Sequence, residues 1–197
     1  MFVNNITSNN ISNLLISTYN EDWIAHFEKI NKILLKLLGG ITISIEHVGS
    51  TAVAGLSAKP IIDIDIIYNE LVDFDFIKNK LISFGYYHNG NQGVAGREVF
   101  KRTGKTEDEV LDKINHHLYV CRYDCPELHR HILFRNYLRK YPIASEFYGQ
   151  LKYEIAKETK NDRKLYASNK ELKANSFINY IVELSKKEHP QFGKIEG

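Results

Sequence analysis

The sequence contains few cysteines and lacks a long apolar segment. Its 2 cysteines, Cys121 and Cys125, are too few for a disulfide framework, and no apolar run reaches the roughly 18 residues that a membrane-spanning helix requires. No signal-peptide pattern opens the chain. We therefore expect a protein of the reduced, cytoplasmic compartment that makes no contact with a membrane.

The chain also lacks a strong charge of either sign. It has 26 lysines and arginines against 24 aspartates and glutamates, a formal net charge of +2. Such a balance gives no strong signal for nucleic-acid binding, although it allows local basic patches. With 43% hydrophobic residues, 197 residues can bury one good core, with or without a helical appendage. One domain is expected, and the oligomeric state is not predicted.

Two aspartates lie in an isoleucine-rich segment. Residues 59–68 read Lys-Pro-Ile-Ile-Asp-Ile-Asp-Ile-Ile-Tyr, which predicts a buried strand. Because side chains alternate along a strand, Asp63 and Asp65 share one face, about 6.6 Å apart. Their repulsion of about 2 to 3 kcal/mol, at an effective dielectric constant of about 20, favours a cation between them. Oxygen ligands favour Mg²⁺ or Mn²⁺. The alternative is a pair of capping or salt-bridged carboxylates at a strand end.

A second predicted strand leads into a glycine-serine turn. Residues 41–48 alternate between apolar and polar side chains and are followed by Gly49-Ser50-Thr51. Gly49 allows a ligand to approach the backbone closely, and Ser50-Thr51 can open a short helix whose free N–H groups would face an anion. Residues 51–62 are enough for one turn and one short helix before the aspartate strand. The order of these features predicts a phosphate-binding site.

Gly49-Ser50 followed by Asp63-Ile64-Asp65 matches the signature of the DNA polymerase beta-like nucleotidyltransferase superfamily. The segment 45–53, with Gly55-Leu56 and Ala58-Lys59-Pro60, resembles specifically the GrpB family of predicted nucleotidyltransferases. The resemblance spans residues 18 to 184 and continues through residues 19–23, Gly96-Arg97, His116-His117-Leu118, His131, residues 134–139, Asp162-Arg163, Tyr166 and Lys170. Ala54 and Ala95 stand where the family usually has proline, which concerns loop rigidity only.

The resemblance implies a divalent-metal-dependent nucleotidyltransferase that moves a nucleoside monophosphate from a nucleoside triphosphate to an unknown acceptor. Asp63 and Asp65 would be catalytic and hold Mg²⁺ or Mn²⁺. The expected phosphate- and nucleotide-binding residues are Gly49, Ser50, Thr51, Lys59, Arg97, His131, Arg135 and Lys170. The nucleobase is not predicted.

A third catalytic carboxylate is missing from its usual place. Superfamily catalysts usually carry one on a strand near residues 115–121, where this chain reads Asn-His-His-Leu-Tyr-Val-Cys. His117 is the expected base or ligand in its place, unless it is merely a hydrogen-bonded strand histidine; Glu46 and Glu98 are weaker candidates. The missing acid leaves a second hypothesis open, a non-catalytic nucleotide- or phosphate-binding regulatory module. A structural or toxin-neutralising partner, the third hypothesis, rests on superfamily analogy only.

Two further clusters have alternative interpretations. Asp73-Phe74-Asp75 repeats the Asp-x-Asp spelling within a predicted helix, where the two side chains diverge by about 200°, so they are interpreted as first-turn charges. Cys121, Cys125, His129 and His131 suggest zinc but lack a Cys-x-x-Cys pair, which favours two reduced thiols instead.

The predicted fold is α/β (α+β), with a small mixed sheet, flanking helices and a C-terminal helical bundle. Strands are expected near residues 41–48, 61–68, 97–102 and 115–121, residues 86–96 as a connection and 103–112 as a surface loop. Pro126, Pro142 and Asp162 mark the starts of the C-terminal helices. The expected division is an arm at 1–17, a nucleotidyltransferase-like core at 18–123, a helical region at 124–187 packed on the core, and a tail at 188–197.

Overall fold

The computed structural model describes residues 15–104 and 108–190. Within these ranges five strands form one sheet in the order β1-β2-β5-β4-β3. Their bounds are β1 Ile43–Val48, β2 Ile62–Tyr68, β3 Tyr86–His88, β4 Arg97–Arg102 and β5 His116–Arg122. Strands β2 and β5 are parallel, and the other neighbouring pairs are antiparallel. This is the mixed α/β architecture predicted from the sequence, and the four predicted strands correspond to β1, β2, β4 and β5.

Six helices surround the sheet in the described part of the chain. They are α1 Asp22–Leu37, α2 Phe74–Ser83, α3 Glu109–Lys113, α4 Pro126–Lys140, α5 Pro142–Glu158 and α6 Arg163–Glu188. Prolines open α4 and α5, where the missing N–H is no loss. The Asp162 carboxylate caps α6 by accepting from the N–H groups of Lys164 and Leu165. None of the helices in residues 15–104 and 108–190 has the length and apolarity needed to cross a membrane.

Helices pack against both faces of the sheet, and the two faces differ in chemistry. Ile62, Ile64 and Ile66 of β2 belong to the main hydrophobic core, which includes the apolar stripe of α1 at Trp23, Phe27, Ile30 and Leu34. Because side chains alternate along a strand, Asp63 and Asp65 point to the opposite face. Helix α4 covers this face, since its His131 contacts Asp65. The aspartates therefore lie between the sheet and the C-terminal helices.

Two short elements were not predicted. Strand β3 lies in the segment expected to be a connection and pairs with β4 through Tyr86–His88. Helix α3 lies largely in the segment expected to be a surface loop, and Asp108 caps it. Elements of 3 and 5 residues are too short to show a reliable hydrophobic period. Asp73 and Asp75 were interpreted as charges in the first turn of a helix. Asp75 does lie in the first turn of α2, and Asp73 is the cap that precedes it, since its carboxylate accepts from Asp75 N–H.

Residues 15–17, which precede α1, pack against the rest of the protein. Ile16 is 1% exposed, and Ser17 forms two backbone hydrogen bonds with Ala58, at 2.8 and 3.0 Å. Residues 15–17 of the expected arm are thus packed. Residues 1–14 of that arm and residues 191–197 of the expected tail lie outside the described ranges.

Candidate functional site

The glycine-serine turn lies directly against Asp63. Strands β1 and β2 are antiparallel with Val48 opposite Asp63, so the turn that follows β1 meets the start of β2. Gly49 has a φ of +73°, and a Cβ atom there would lie 2.3 Å from Asp63 Oδ2. Only glycine satisfies both the positive φ and the close approach. The turn therefore faces the first aspartate.

A pocket of about 750 Å³ opens beside this contact, between the sheet and helices α4, α5 and α6. Among the residues predicted from the sequence, it is lined by Gly49, Ser50, Thr51, Lys59, Asp63, His117, His131 and Lys170. Asp65, Arg97 and Arg135 are outside this lining. The fold thus brings most of the predicted residues into one pocket, and separates the two aspartates of the Asp-x-Asp pair.

Asp63 and His117 form a pair at the pocket wall. They are neighbours on the parallel strands β2 and β5, and His117 Nδ1 lies 2.8 Å from Asp63 Oδ1. The His117 side chain is 51% exposed and that of Asp63 is 29% exposed. Because this contact uses Nδ1, the other ring nitrogen of His117 can exchange a proton with a bound ligand. His117 is therefore hydrogen-bonded, as one interpretation held, and also accessible.

Asp65 is closed off by an ion pair. Its side chain is 0% exposed, and His131 Nδ1 lies 2.9 Å from Asp65 Oδ2. The other nitrogen of His131, Nε2, lies 3.3 Å from Glu127 Oε1. Burial opposes the charge of His131, but its hydrogen bonds to Asp65 and Glu127 outweigh burial and raise its pKa to about 10. The hydrogen bond to His131 lowers the pKa of Glu127 to about 2.

In this arrangement Asp63 and Asp65 cannot both bind one metal ion. Asp63 opens into the pocket, whereas Asp65 lies behind His131, and its Oδ1 is buried without a hydrogen-bond partner in the described residues. Within residues 15–104 and 108–190 no group of three or more His, Cys, Asp or Glu side chains could hold an ion. A single Mg²⁺ ion is commonly held by one carboxylate together with substrate phosphates. Asp63 fits that smaller role.

Lys152 is a site residue that sequence reasoning missed. It lies on α5 and is 2% exposed, and its ammonium donates to Ser50 Oγ at 3.0 Å and to the Ser57 carbonyl. Both acceptors are neutral, so among the described residues the charged form hydrogen-bonds to no anionic group. Burial, followed by the nearby charge of Lys170, lowers the pKa of Lys152 well below its ordinary value.

Helical spacing in the sequence did not single out Lys152. Ile143, Phe147, Leu151 and Ile155 are also at helical spacing, yet Ile143 is 84% exposed and Phe147 is 54% exposed. The buried residues of α5 include Tyr148, Lys152 and Ile155. Because lysine is rarely buried, no signal in the sequence placed Lys152 in the site.

Two other lysines, Lys59 and Lys170, line the same pocket as Lys152. The Lys59 ammonium lies 4.2 Å from the centre of the Tyr166 ring. Burial, together with the charges of Lys170 and Arg163, lowers the pKa of Lys59. Lys170 lies beside the Tyr148 hydroxyl. Three amines thus line one pocket, and the charge of Lys170 contributes to lowering the pKa of both Lys59 and Lys152. An anion bound there would relieve this repulsion.

Three residues expected to bind phosphate have partners within the chain. Arg135 is buried and contacts Glu46 at 2.6 Å and the His47 carbonyl at 2.8 Å. Arg97 lies 4.0 Å from a carboxylate oxygen of Glu127. The Thr51 hydroxyl donates to the Ile61 carbonyl at 3.2 Å and contacts the His47 ring at 3.0 Å. These side chains support the walls of the pocket.

The sequence model of the family described as GrpB protein matches residues 13–183. The chain belongs to the GrpB family. The resemblance stated from the motifs is thereby confirmed at the family level.

Relatives from other organisms extend this assignment. Glutamate-rich protein GrpB of Alkalihalophilus pseudofirmus is 34% identical over 171 residues, which cover 86% of this chain and 97% of that protein. YqkA of Bacillus subtilis is 31% identical over 79% of this chain, but the chain spans only 43% of YqkA. The crystal structure of GrpB from Enterococcus faecalis superimposes with a TM-score of 0.72 at 30% identity, covering 88% of this chain and 98% of that one. The chain therefore has the GrpB fold.

A weaker likeness connects the chain to the Cid1 poly(U) polymerase in its MgGTP-bound form. The TM-score is 0.48 at 17% identity, over 65% of this chain and 41% of that chain. Such a likeness supports no conclusion about activity. The names of the GrpB relatives state no activity either, so function has to be argued from the pocket.

Proposed function

We propose that the pocket of this GrpB-family chain binds a nucleoside triphosphate by its phosphates and transfers the nucleoside monophosphate to an acceptor. The observation that carries the proposal is the buried amine of Lys152. It has only neutral hydrogen-bond partners and stands beside the turn that meets Asp63. A buried ammonium without a counter-charge is costly for a fold, and a bound polyphosphate would supply that counter-charge.

The phosphate end of the ligand would lie against Ser50 and Lys152. Lys152 donates to Ser50 Oγ, so the hydroxyl proton of Ser50 is available for a phosphate oxygen. Hydrogen bonds between an ammonium and a phosphate are shorter and stronger than neutral ones. Lys59 and Lys170 line the same pocket and would neutralise the remaining phosphate charge.

The reacting end would lie against Asp63 and His117. The Asp63 carboxylate favours the tautomer of His117 with its proton on Nδ1, which leaves Nε2 as a proton acceptor for an attacking hydroxyl group. Asp63 is also the carboxylate that would hold a Mg²⁺ or Mn²⁺ ion arriving with the triphosphate, and such an ion would offset phosphate charge. His117 thereby takes the place of the missing third acid.

A second candidate function, a non-catalytic nucleotide- or phosphate-binding module, is favoured by one observation. Asp65 is paired with His131 and is not part of the pocket lining. In this case the phosphate-binding wall remains, but the reacting end performs no transfer. The two candidates make the same prediction for binding and differ for product formation.

The experiment that separates them has two stages. Thermal-shift titrations with ATP, GTP, CTP and UTP, each with and without Mg²⁺, test binding; a pyrophosphate-release assay then compares the wild type with Asp63→Asn. Asp73→Asn is the matched control, because Asn is an equally good helix cap and Asp73 lies outside the pocket. We expect Asp63→Asn to abolish pyrophosphate release and Asp73→Asn to leave it unchanged. Release that survives in Asp63→Asn contradicts the transfer proposal, and no stabilisation by any nucleotide contradicts both candidates.

A further inference from the structure

The second aspartate of the Asp-x-Asp pair already has a positively charged partner from the chain itself. Asp65 is 0% exposed, and its Oδ2 accepts from His131 Nδ1 at 2.9 Å. His131 lines the pocket, whereas Asp65 does not. A cation that enters the pocket therefore meets His131 before it can reach Asp65.

The contacts of His131 favour its charged form while Asp65 and Glu127 are ionised. Its two ring nitrogens face carboxylate oxygens of Asp65 and Glu127, at 2.9 and 3.3 Å. A neutral imidazole has one N–H group, so one of these contacts would place a nitrogen lone pair against a carboxylate. Only the imidazolium form donates to both. Burial of Asp65 is tolerated because this charge lies beside it.

We propose that His131 is a built-in cation that excludes divalent metal ions from Asp65, leaving Asp63 as the only metal-binding member of the Asp-x-Asp pair. An imidazolium and a divalent ion repel each other, and they would compete for the same carboxylate. Asp65 then serves as a positioning residue that holds His131 at the pocket wall, where the charge faces the ligand.

The position of His131 is fixed by the helix that carries it. Four residues further along α4, Arg135 contacts the His47 carbonyl at 2.8 Å on β1. Leu128 and Leu133 are buried on the same helix, and Ser185 of α6 donates to the Leu133 carbonyl at 3.1 Å. These contacts secure the backbone on both sides of His131, so its charge is held against the sheet.

The Oδ1 atom of Asp65 would become available to a metal ion if the positive charge of His131 were removed. Oδ1 has no hydrogen-bond partner in the described residues and is closed to solvent. His131→Gln removes the competing charge while keeping a polar side chain of similar size. In that variant both oxygens of Asp65 can serve a divalent ion, together with Asp63.

The test uses Mn²⁺ alone, with no nucleotide, and counts bound ions by the loss of the free-Mn²⁺ signal in electron paramagnetic resonance. We expect His131→Gln to bind Mn²⁺ at least tenfold more tightly than the wild type, and Asp65→Asn added to this variant to remove the gain. His129→Gln, on the same helix and outside the pocket lining, should behave as the wild type. Equal Mn²⁺ affinity in His131→Gln and the wild type overturns the proposal.

A second comparison needs no change at His131. Wild type and Asp65→Asn should bind Mn²⁺ equally, since the proposal gives Asp65 no metal, and a tenfold weaker affinity in Asp65→Asn overturns it. In the wild type with saturating Mg²⁺, ¹⁵N spectra of the histidines should still show both nitrogens of His131 protonated; loss of that state is also contradictory. The proposed nucleotide binding is tested separately, because these measurements contain no nucleotide.

Discussion

Asp63 leaves no room for a side chain at residue 49. A Cβ atom at residue 49 would lie 2.3 Å from Asp63 Oδ2, whereas a Cβ at Gly55 would meet nothing within 4 Å, although both glycines have positive φ. A comparison of the two positions therefore tests whether the clash with the aspartate adds to the cost of a positive φ.

Gly49→Ala should reduce the free energy of unfolding by about 2 to 4 kcal/mol, as backbone strain adds to displacement of Asp63. Gly55→Ala should cost about 1 kcal/mol, because it carries the strain alone. Urea unfolding of the two variants beside the wild type measures both values. Equal losses in the two variants would show that the contact with Asp63 is not tight in solution.

Lys152 is the residue for which stability and binding should change in different directions. Lys152→Met should weaken triphosphate binding at least tenfold, because it removes the buried amine next to Ser50. It should leave the stability of the ligand-free chain unchanged or higher, because the buried amine has no anionic partner. Isothermal titration calorimetry and urea unfolding test the two parts. Lys157→Met, at an exposed position of the same helix, should change neither quantity.

At the level of elements, helix α4 is tied to strand β1 by Arg135, which is buried beside Glu46. His131 and Arg135 are four residues apart on α4, and the family resemblance implied a phosphate-binding role for both. Helical spacing cannot show which element will face that side, because the partner is determined by tertiary packing. The same holds for Asp65, whose partner His131 is 66 residues away in sequence.

Arg135→Ala should lower the free energy of unfolding by about 3 kcal/mol, because it removes a buried hydrogen bond to the His47 carbonyl and the ion-pair partner of Glu46. The value lies at the low end for a buried pair, since Glu46 is partly exposed. Chemical unfolding followed by circular dichroism measures the loss. Under conditions in which Arg135→Ala is folded, its affinity for triphosphate should stay within about threefold of that of the wild type. A loss of affinity with unchanged stability would instead place Arg135 in contact with the ligand.

Element boundaries could be predicted where single residues mark them. Pro126, Pro142 and Asp162 fixed the starts of the three C-terminal helices, and Asp73 was recognised as part of a helix start. Strand β3 and helix α3 carried no comparable signal. The turn and the aspartate strand were predicted together because their residues are close in sequence and chemically specific, whereas Lys152 reaches the turn from a distant helix.

On the scale of the whole molecule, the C-terminal helices cover the aspartate face of the sheet and enclose three amines. Burial lowers the pKa of Lys152 well below the ordinary value of 10.5. Above the folded-state pKa and below 10.5, the unfolded chain binds more protons than the folded chain. The free energy of unfolding contributed by this group therefore rises with pH across that window, and the full cost of the buried charge is present below it.

The stability of the wild type should accordingly increase, relative to that of Lys152→Met, as the pH is raised toward about 10. The difference between the two proteins cancels other groups that titrate in the same range, including Lys59. Urea unfolding at several pH values gives the two curves. Parallel curves would mean that the amine of Lys152 is solvated in the folded protein.

The most direct measurement is a crystal structure of the chain with a nonhydrolysable nucleoside triphosphate and Mn²⁺, in which anomalous scattering locates the ion. We expect the phosphates to lie beside Ser50 and Lys152, and the ion to contact Asp63 and the phosphates while Asp65 keeps its contact with His131. A triphosphate bound away from Lys152, or a pocket that stays empty at saturating ligand, would overturn the proposed binding site.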